Sequence, residues 1–107
     1  MNFAEQLKQL PAISHLAELQ LLNETGEVVA RIENKQGKIG SLTVYHALAL
    51  RHESRITPTA AQEGLELFAE HTADALQRPG AHPNIDRLFE IIQTGRTYTV
   101  KLVTLTN

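Results

Sequence analysis

The chain has no cysteine, no tryptophan, and only three phenylalanines and two tyrosines. The missing cysteine excludes disulfides, thiol nucleophiles and thiolate metal sites, although it does not identify a compartment. Modules that stack RNA bases need exposed rings. Most of Phe3, Tyr45, Phe68, Phe89 and Tyr98 fall on apolar faces instead. Positive charge is also scarce: ten Lys and Arg against twelve Asp and Glu leave a formal charge of −2. A general nucleic-acid binder would show a basic excess. No apolar run approaches the roughly 18 residues that span a bilayer. The opening MNFAEQLKQLPA carries neither the basic nor the apolar region of a signal peptide. These absences predict a cytoplasmic protein that needs neither nucleic acid nor membrane.

The remainder is ordinary globular composition, with 42% apolar and 21% charged residues over 107 positions. That length supports one hydrophobic core, so residues 1–107 are read as a single domain. No repeat, low-complexity tract or linker divides them.

The opening segment reads as a short amphipathic helix that stops at Pro11. HLAELQLLNETGEVVARIEN holds two alternating runs around NETGE, whose Asn and Gly suit a bend, and so predicts a β-hairpin. Leu19 and Leu21 share one face, opposite Glu18, Gln20 and Leu22. Ser41 is a candidate cap for a helix through LTVYHALALRH. Thr57 caps the next, with Pro58 in its first turn, and the stripe Ala61, Leu65, Phe68, Thr72, Leu76 carries it to about Gln77. A further helix over roughly Pro83–Thr94 buries Ile85, Leu88, Phe89 and Ile92 and ends at Gly95. TYTVKLVTL closes as a strand. The order α-β-β-α-α-α-β predicts an α+β fold: a small antiparallel sheet, the hairpin plus the C-terminal strand, with three to four helices on one face. Leu22, Val29, Val103 and Leu105 then project from the open face. An apolar sheet face or edge of this kind predicts a homodimer.

RPGAHPNIDRLFE, Arg78–Glu90, gathers the most chemistry. Asn84 reads first as an N-cap and Asp86 as the acidic residue that a helix dipole favours. His82 and Gly80 at the same helix start offer an alternative use, holding an anion. KQGKIGS places Lys35, Lys38 and Ser41 beside two glycines ahead of a helix. The spacing is not that of a phosphate loop, which leaves a solvated connection or a modest anion site. His71 and Asp74 lie three apart on one helix surface. With His82 and Asp86, and His46 as an addition, they offer nitrogen and oxygen ligands for a divalent metal. No HExxH spacing supports that, so no metal is assigned, and His71 with His82 stays as the alternative. Ser14, Ser41 and Ser54 lack an elbow motif, and no cofactor fingerprint occurs.

Three stretches, GKIGSLTVYHALA (Gly37–Ala49), GLELFAEHTADA (Gly64–Ala75) and PGAHPNIDRL (Pro79–Leu88), resemble a small family of bacterial proteins of unknown function and about this length. The resemblance covers most of the chain and implies a single-domain, cytoplasmic α+β protein. It carries no catalytic or ligand residues, because the family has no established activity.

Two functions follow. The first is a non-catalytic binding or interaction module acting as a homodimer. Its positive sign is charge separation, with Arg31, Lys35, Lys38, Arg51 and Arg55 in one segment and Glu63, Glu66, Glu70 and Asp74 in the next. The alternative is a small metal- or anion-binding protein, or an enzyme, using the cluster around residues 71–86. A related option is an anion or metabolite sensor built from the two helix starts at Ser41 and His82.

Overall fold

The computed structural model describes residues 1–105. In chain order it forms α1 (Phe3–Lys8), β1 (Leu16–Leu22), β2 (Val28–Glu33), α2 (Ile39–Arg51), β3 (Arg55–Ile56), α3 (Pro58–Leu67), α4 (Glu70–Gln77), α5 (Pro83–Thr94) and β4 (Tyr98–Thr104). The hairpin bend follows the expected chemistry. Asn23 Oδ1 accepts from the Thr25 and Glu27 N–H groups, and Gly26 takes the positive φ of 86°.

The sheet is antiparallel throughout, with order β2-β1-β4-β3. The C-terminal strand therefore pairs with β1, setting Leu19 opposite Leu102 and Leu21 opposite Val100. The alternation of β1 decides which face is covered. Leu19, Leu21, Ile32 and Val100 turn to the helices and are buried, while Glu18, Gln20, Arg31, Glu33 and Lys101 face away.

Six details differ from the sequence expectations. The sheet gains a fourth, two-residue strand, because Glu53 and Ser54 reverse the chain in left-handed conformation and Ser54 C=O accepts from Val100 N–H at 2.7 Å. The open face is mixed: Val29 and Leu105 are exposed, as expected. Leu22 and Val103 are half-buried and the Gln20, Arg31, Lys101 row lies between them. Helix α2 begins at Ile39, since the Gly37 turn starts it early, and Ser41 sits inside its first turn instead of capping it. Helix α5 starts from His82, whose C=O accepts from the Ile85 and Asp86 N–H groups, so Asn84 is not the N-cap. Within α5 it is Ile91 that is fully buried, and Ile92 lies at the margin.

The sixth difference is a break in the helix expected to reach Gln77. It stops at Phe68, and Ala69 adopts φ 53° and ψ −124° before α4 begins. Thr72 Oγ1 donates back to Leu65 C=O at 2.6 Å across the break. The reorientation leaves Leu76 exposed instead of continuing the stripe.

The core is one cluster between sheet and helices. Gly64 sets how closely α3 approaches its neighbours: a Cβ there would stand 2.8 Å from a Leu88 methyl and 2.9 Å from a Leu48 methyl. Tyr45, fully buried on α2, donates to Asn84 C=O at 2.6 Å and accepts from Arg87 Nη1 at 3.2 Å. Burial pushes its phenol up to about 12. One helical step on, His46 faces elsewhere and packs edge-on to His15 with ring centroids 5.4 Å apart. Its Nδ1 is buried without a hydrogen-bond partner among the described residues. Part of the charge separation is consumed within the chain, where Glu63 on α3 holds both Arg51 and His52 at the end of α2.

Two outcomes follow from this packing. Gly64→Ala should destabilise the fold by about 1–3 kcal/mol in urea unfolding, overpacking outweighing the helix propensity gained. The second concerns His46, whose burial, followed by the nearby His15, holds its pKa below the ordinary 6.5. Folding then favours the neutral ring. The stabilisation is complete above pH 6.5 and is lost as pH falls from there toward the folded-state value. Unfolding free energies measured between pH 8 and 5 should decline in this window by at most about 1.4 kcal/mol per pH unit from this group. His46→Leu should flatten that part of the curve.

Candidate functional site

The α3–α4 break, the α4–α5 turn and the first turns of α2 and α5 face one another around α1. Each contributes for a local reason. The left-handed Ala69 turns α4 so that His71 meets Phe3 edge-on, with centroids 4.8 Å apart. Phe3 also stacks on Phe68 at 5.6 Å, and its N–H donates to Glu70 Oε1 at 2.8 Å. Gly40 leaves room for this ring, since a Cβ there would lie 2.9 Å from it. The result is a cleft of about 470 Å3, walled by Phe3, Leu7, Ile39, Phe68, Pro83 and Ile85. Its polar lining comes from Ser41, His71, His82 and Asn84, and among the described residues no Asp, Glu, Lys or Arg lines it.

His82 occupies the N-cap position of α5, yet its ring does not cap the helix. It reaches back to α4, where Nε2 lies 2.6 Å from Asp74 Oδ2. The same carboxylate receives Arg78, one turn along α4, through Nε at 3.0 Å and through Nη2. The Arg78 hydrogen bonds and then the His82 contact hold the Asp74 carboxyl far below the usual carboxylate range. Asp74 thus remains an anion and fixes the imidazole from one side. The His71 ring stands 5.6 Å from that of His82, tilted at 47°.

The sequence-derived candidates divide into three groups. His71, His82, Asn84 and Ser41 meet in the cleft, although 43 residues separate Ser41 from Asn84 in sequence and Asn84 already accepts from Tyr45 and Arg87. Asp74 stands behind His82, and Asp86 closes the turn by accepting from Gly80 N–H at 3.0 Å. Lys35 and Lys38 lie outside the cleft and pair with Glu33 at 3.3 and 3.6 Å. Among the described residues no group of three or more His, Cys, Asp or Glu is arranged to hold a metal ion. His46 is not among the cleft-lining residues and packs on His15.

Sequence reasoning missed Phe3, Leu7, Gly40 and Phe68 as cleft residues. The available signal was the amphipathic start: a helix of only six residues with no fully buried side chain must lean on something. A similar trio, Arg51–Glu63–His52, joins α2 to α3. An arginine–carboxylate–histidine unit is therefore also a structural device in this chain.

With this geometry in place, comparison with known proteins gives a family. Residues 3–102 match the family described as "uncharacterized protein conserved in bacteria (DUF2322)". The chain belongs to that family. The match covers all five helices and most of β4, so the resemblance noted in three stretches extends across the domain. No curated protein and no solved structure matches the chain. Among the described residues no helix of this DUF2322 member is long and apolar enough to cross a membrane.

The strained Ala69 tests how the cleft is held. Its φ and ψ lie where only glycine is comfortable. Ala69→Gly should raise the unfolding free energy by roughly 1 kcal/mol, strain relief exceeding the added chain entropy. Thermal unfolding measures this, and a loss of stability would show that the turn is unstrained.

Proposed function

We propose that this protein is a cytoplasmic, single-domain module that binds a small ligand with an acidic head and a short apolar body. One observation carries the reading. Two imidazoles from separate elements, one of them fixed by a carboxylate, share a cleft that has apolar walls and no charged lining.

The chemistry supports an acidic head. An imidazole donates to an anion through N–H, and protonation adds charge to that contact. The first turns of α2 (13 residues) and α5 (12 residues) also line the cleft, and no side chain caps either helix. Their N–H groups and partial positive charge favour an anion on the same side. The apolar wall supplies the remaining recognition, since pockets for small molecules combine mostly hydrophobic lining with a few convergent polar groups. Residues of Phe3, Phe68 and Ile85 size suit a short alkyl or aryl part.

A second reading has its own observation. The Asp74–His82 contact at 2.6 Å is the arrangement that orients a general base. On that reading His82 would remove a proton from the bound compound, with His71 as its neighbour.

The test is a binding screen with defined probes: inorganic phosphate, straight-chain carboxylates and phosphate monoesters. Amide chemical-shift changes should concentrate at Gly40, Ser41, His71 and Asn84 and depend on chain length as well as on charge. A probe at about 100 times its Kd should add about 2.7 kcal/mol of stability. His71→Ala with His82→Ala should abolish both effects while circular dichroism remains that of the folded protein. Shifts scattered over the surface, or unchanged in the double variant, would sink the reading. Turnover of a bound probe, lost in His82→Ala, would favour the catalytic reading.

A further inference from the structure

The two imidazoles of the cleft differ in what their ring nitrogens are free to do. His82 Nε2 lies 2.6 Å from Asp74 Oδ2, a distance that requires one proton between the two atoms. The carboxyl group does not supply it. Arg78 Nε donates to both Asp74 oxygens, and the Arg78 bonds, followed by the His82 contact, hold that acid far below the usual carboxylate range. An ionised carboxylate only accepts, so the proton sits on Nε2.

A neutral imidazole carries one N–H, and that of His82 is spent on Asp74. Its Nδ1 then presents a lone pair. No hydrogen bond among the described residues engages this nitrogen, and it remains open to solvent. His82 lines the cleft and Asp74 stands behind it, so Nδ1 is the ring nitrogen left for a ligand. A lone pair meets an anion unfavourably. A proton on Nδ1 turns the same atom into a charged donor, with Asp74 balancing the imidazolium from behind.

His71 is not restricted in this way. Its ring lies edge-on to Phe3 and 5.6 Å from that of His82, and no hydrogen bond among the described residues commits its nitrogens. It can turn its single N–H to a ligand without gaining a proton. The charges that face His82 from α4 are Asp74 and, across that carboxylate, Arg78, while His71 is its titratable neighbour. Glu70, beside His71, accepts from Phe3 N–H. On α5, Asp86 is turned to Gly80 N–H at 3.0 Å. Among the described residues α1 and α2 bring no charged side chain to the cleft.

We propose that the cleft binds its anion together with one proton, taken up at His82 Nδ1, so that affinity rises as pH falls. This rests on the reading of the cleft as a site for an acidic head and adds its regulation. The complex holds one proton more than its separated parts. Lower pH therefore favours it, by at most about tenfold per pH unit for a single site.

Isothermal titration calorimetry with butanoate tests this on the full chain, because a simple carboxyl stays ionised above about pH 6. Titrations between about pH 8 and pH 6, each in two buffers of different ionisation enthalpy, read the proton uptake directly. Binding should tighten toward the lower pH, with up to one proton taken up per butanoate. Asp74→Asn removes the balancing charge and should weaken binding and move the tightening to lower pH. His82→Gln should abolish the uptake, whereas His71→Gln should weaken binding and retain it. In the ligand-free protein at high pH, imidazole nitrogen shifts should show the His82 proton on Nε2. A proton on Nδ1 there would overturn the inference without any ligand. Butanoate affinity that is indifferent to pH would overturn it too, leaving the acidic-head reading in place. Uptake that persists in His82→Gln would assign the proton to His71 and have the same consequence. No binding of butanoate at any pH would count against the acidic-head reading itself, and the inference would fall with it.

Discussion

The buried Tyr45 hydroxyl is the contact on which the placement of α5 depends. It donates to the carbonyl of Asn84, in the first turn of α5, and receives Arg87 from the same turn. The Arg87 guanidinium also lies 5.9 Å above the Tyr45 ring and bonds Asn84 Oδ1 at 2.8 Å. A fully buried hydroxyl without a partner costs about 1–3 kcal/mol, so α5 can hardly slide without forfeiting this set. The first turn of α5 is therefore fixed to α2, and with it His82 is fixed opposite the first turn of that helix. Gly64 reinforces the arrangement from α3 by letting Leu48 and Leu88 close over it.

This constraint explains why polar residues of one short segment have unrelated tasks. Asn84 gives its carbonyl to the core and its side chain to Arg87. Asp86 ties the Pro79-Gly80 turn, and His82, freed from capping, turns back to Asp74. The fixed helix start and the kink at Ala69 bring His82 and His71 to the same cleft. The strained Ala69 and the uncapped starts of α2 and α5 border that cleft, while Glu53 and Ser54 take positive φ away from it, at the turn into β3. Two other helix ends follow the local rules: Thr57 caps α3 and Gly95 ends α5 in the left-handed conformation.

The periodic parts of the fold were legible in the sequence. Alternation in LAELQLL and TVKLVTL announced strands, and Thr57-Pro58 and Gly95 marked helix ends that the structure keeps. Three features were illegible because nothing local encodes them. β3 exists only because β4 offers an edge to a two-residue segment. The Ala69 kink interrupts an apolar stripe that reads as continuous, since alanine itself is a good helix former. The cap of α5 moved from Asn84 to His82 because the Asn84 groups have partners in Tyr45 and Arg87. Of the cleft, His71, His82, Asn84 and Ser41 could be nominated as polar residues near helix ends. Phe3 and Gly40 could not, because their relevance is a close approach between segments 37 residues apart.

The sequence alone determined that this is a cysteine-free α+β domain of near-neutral charge, with a hairpin first, helices next and a strand last. Hydrophobic periodicity and turn chemistry are short-range properties, and they suffice for element type and order. Tertiary structure decided the strand order, which histidines meet and which face of each element borders the cleft. It also placed β2 and the two-residue β3 at the edges of the sheet. Those outcomes depend on long-range packing, where one buried hydroxyl and one missing Cβ select among arrangements that the periodicity leaves equal.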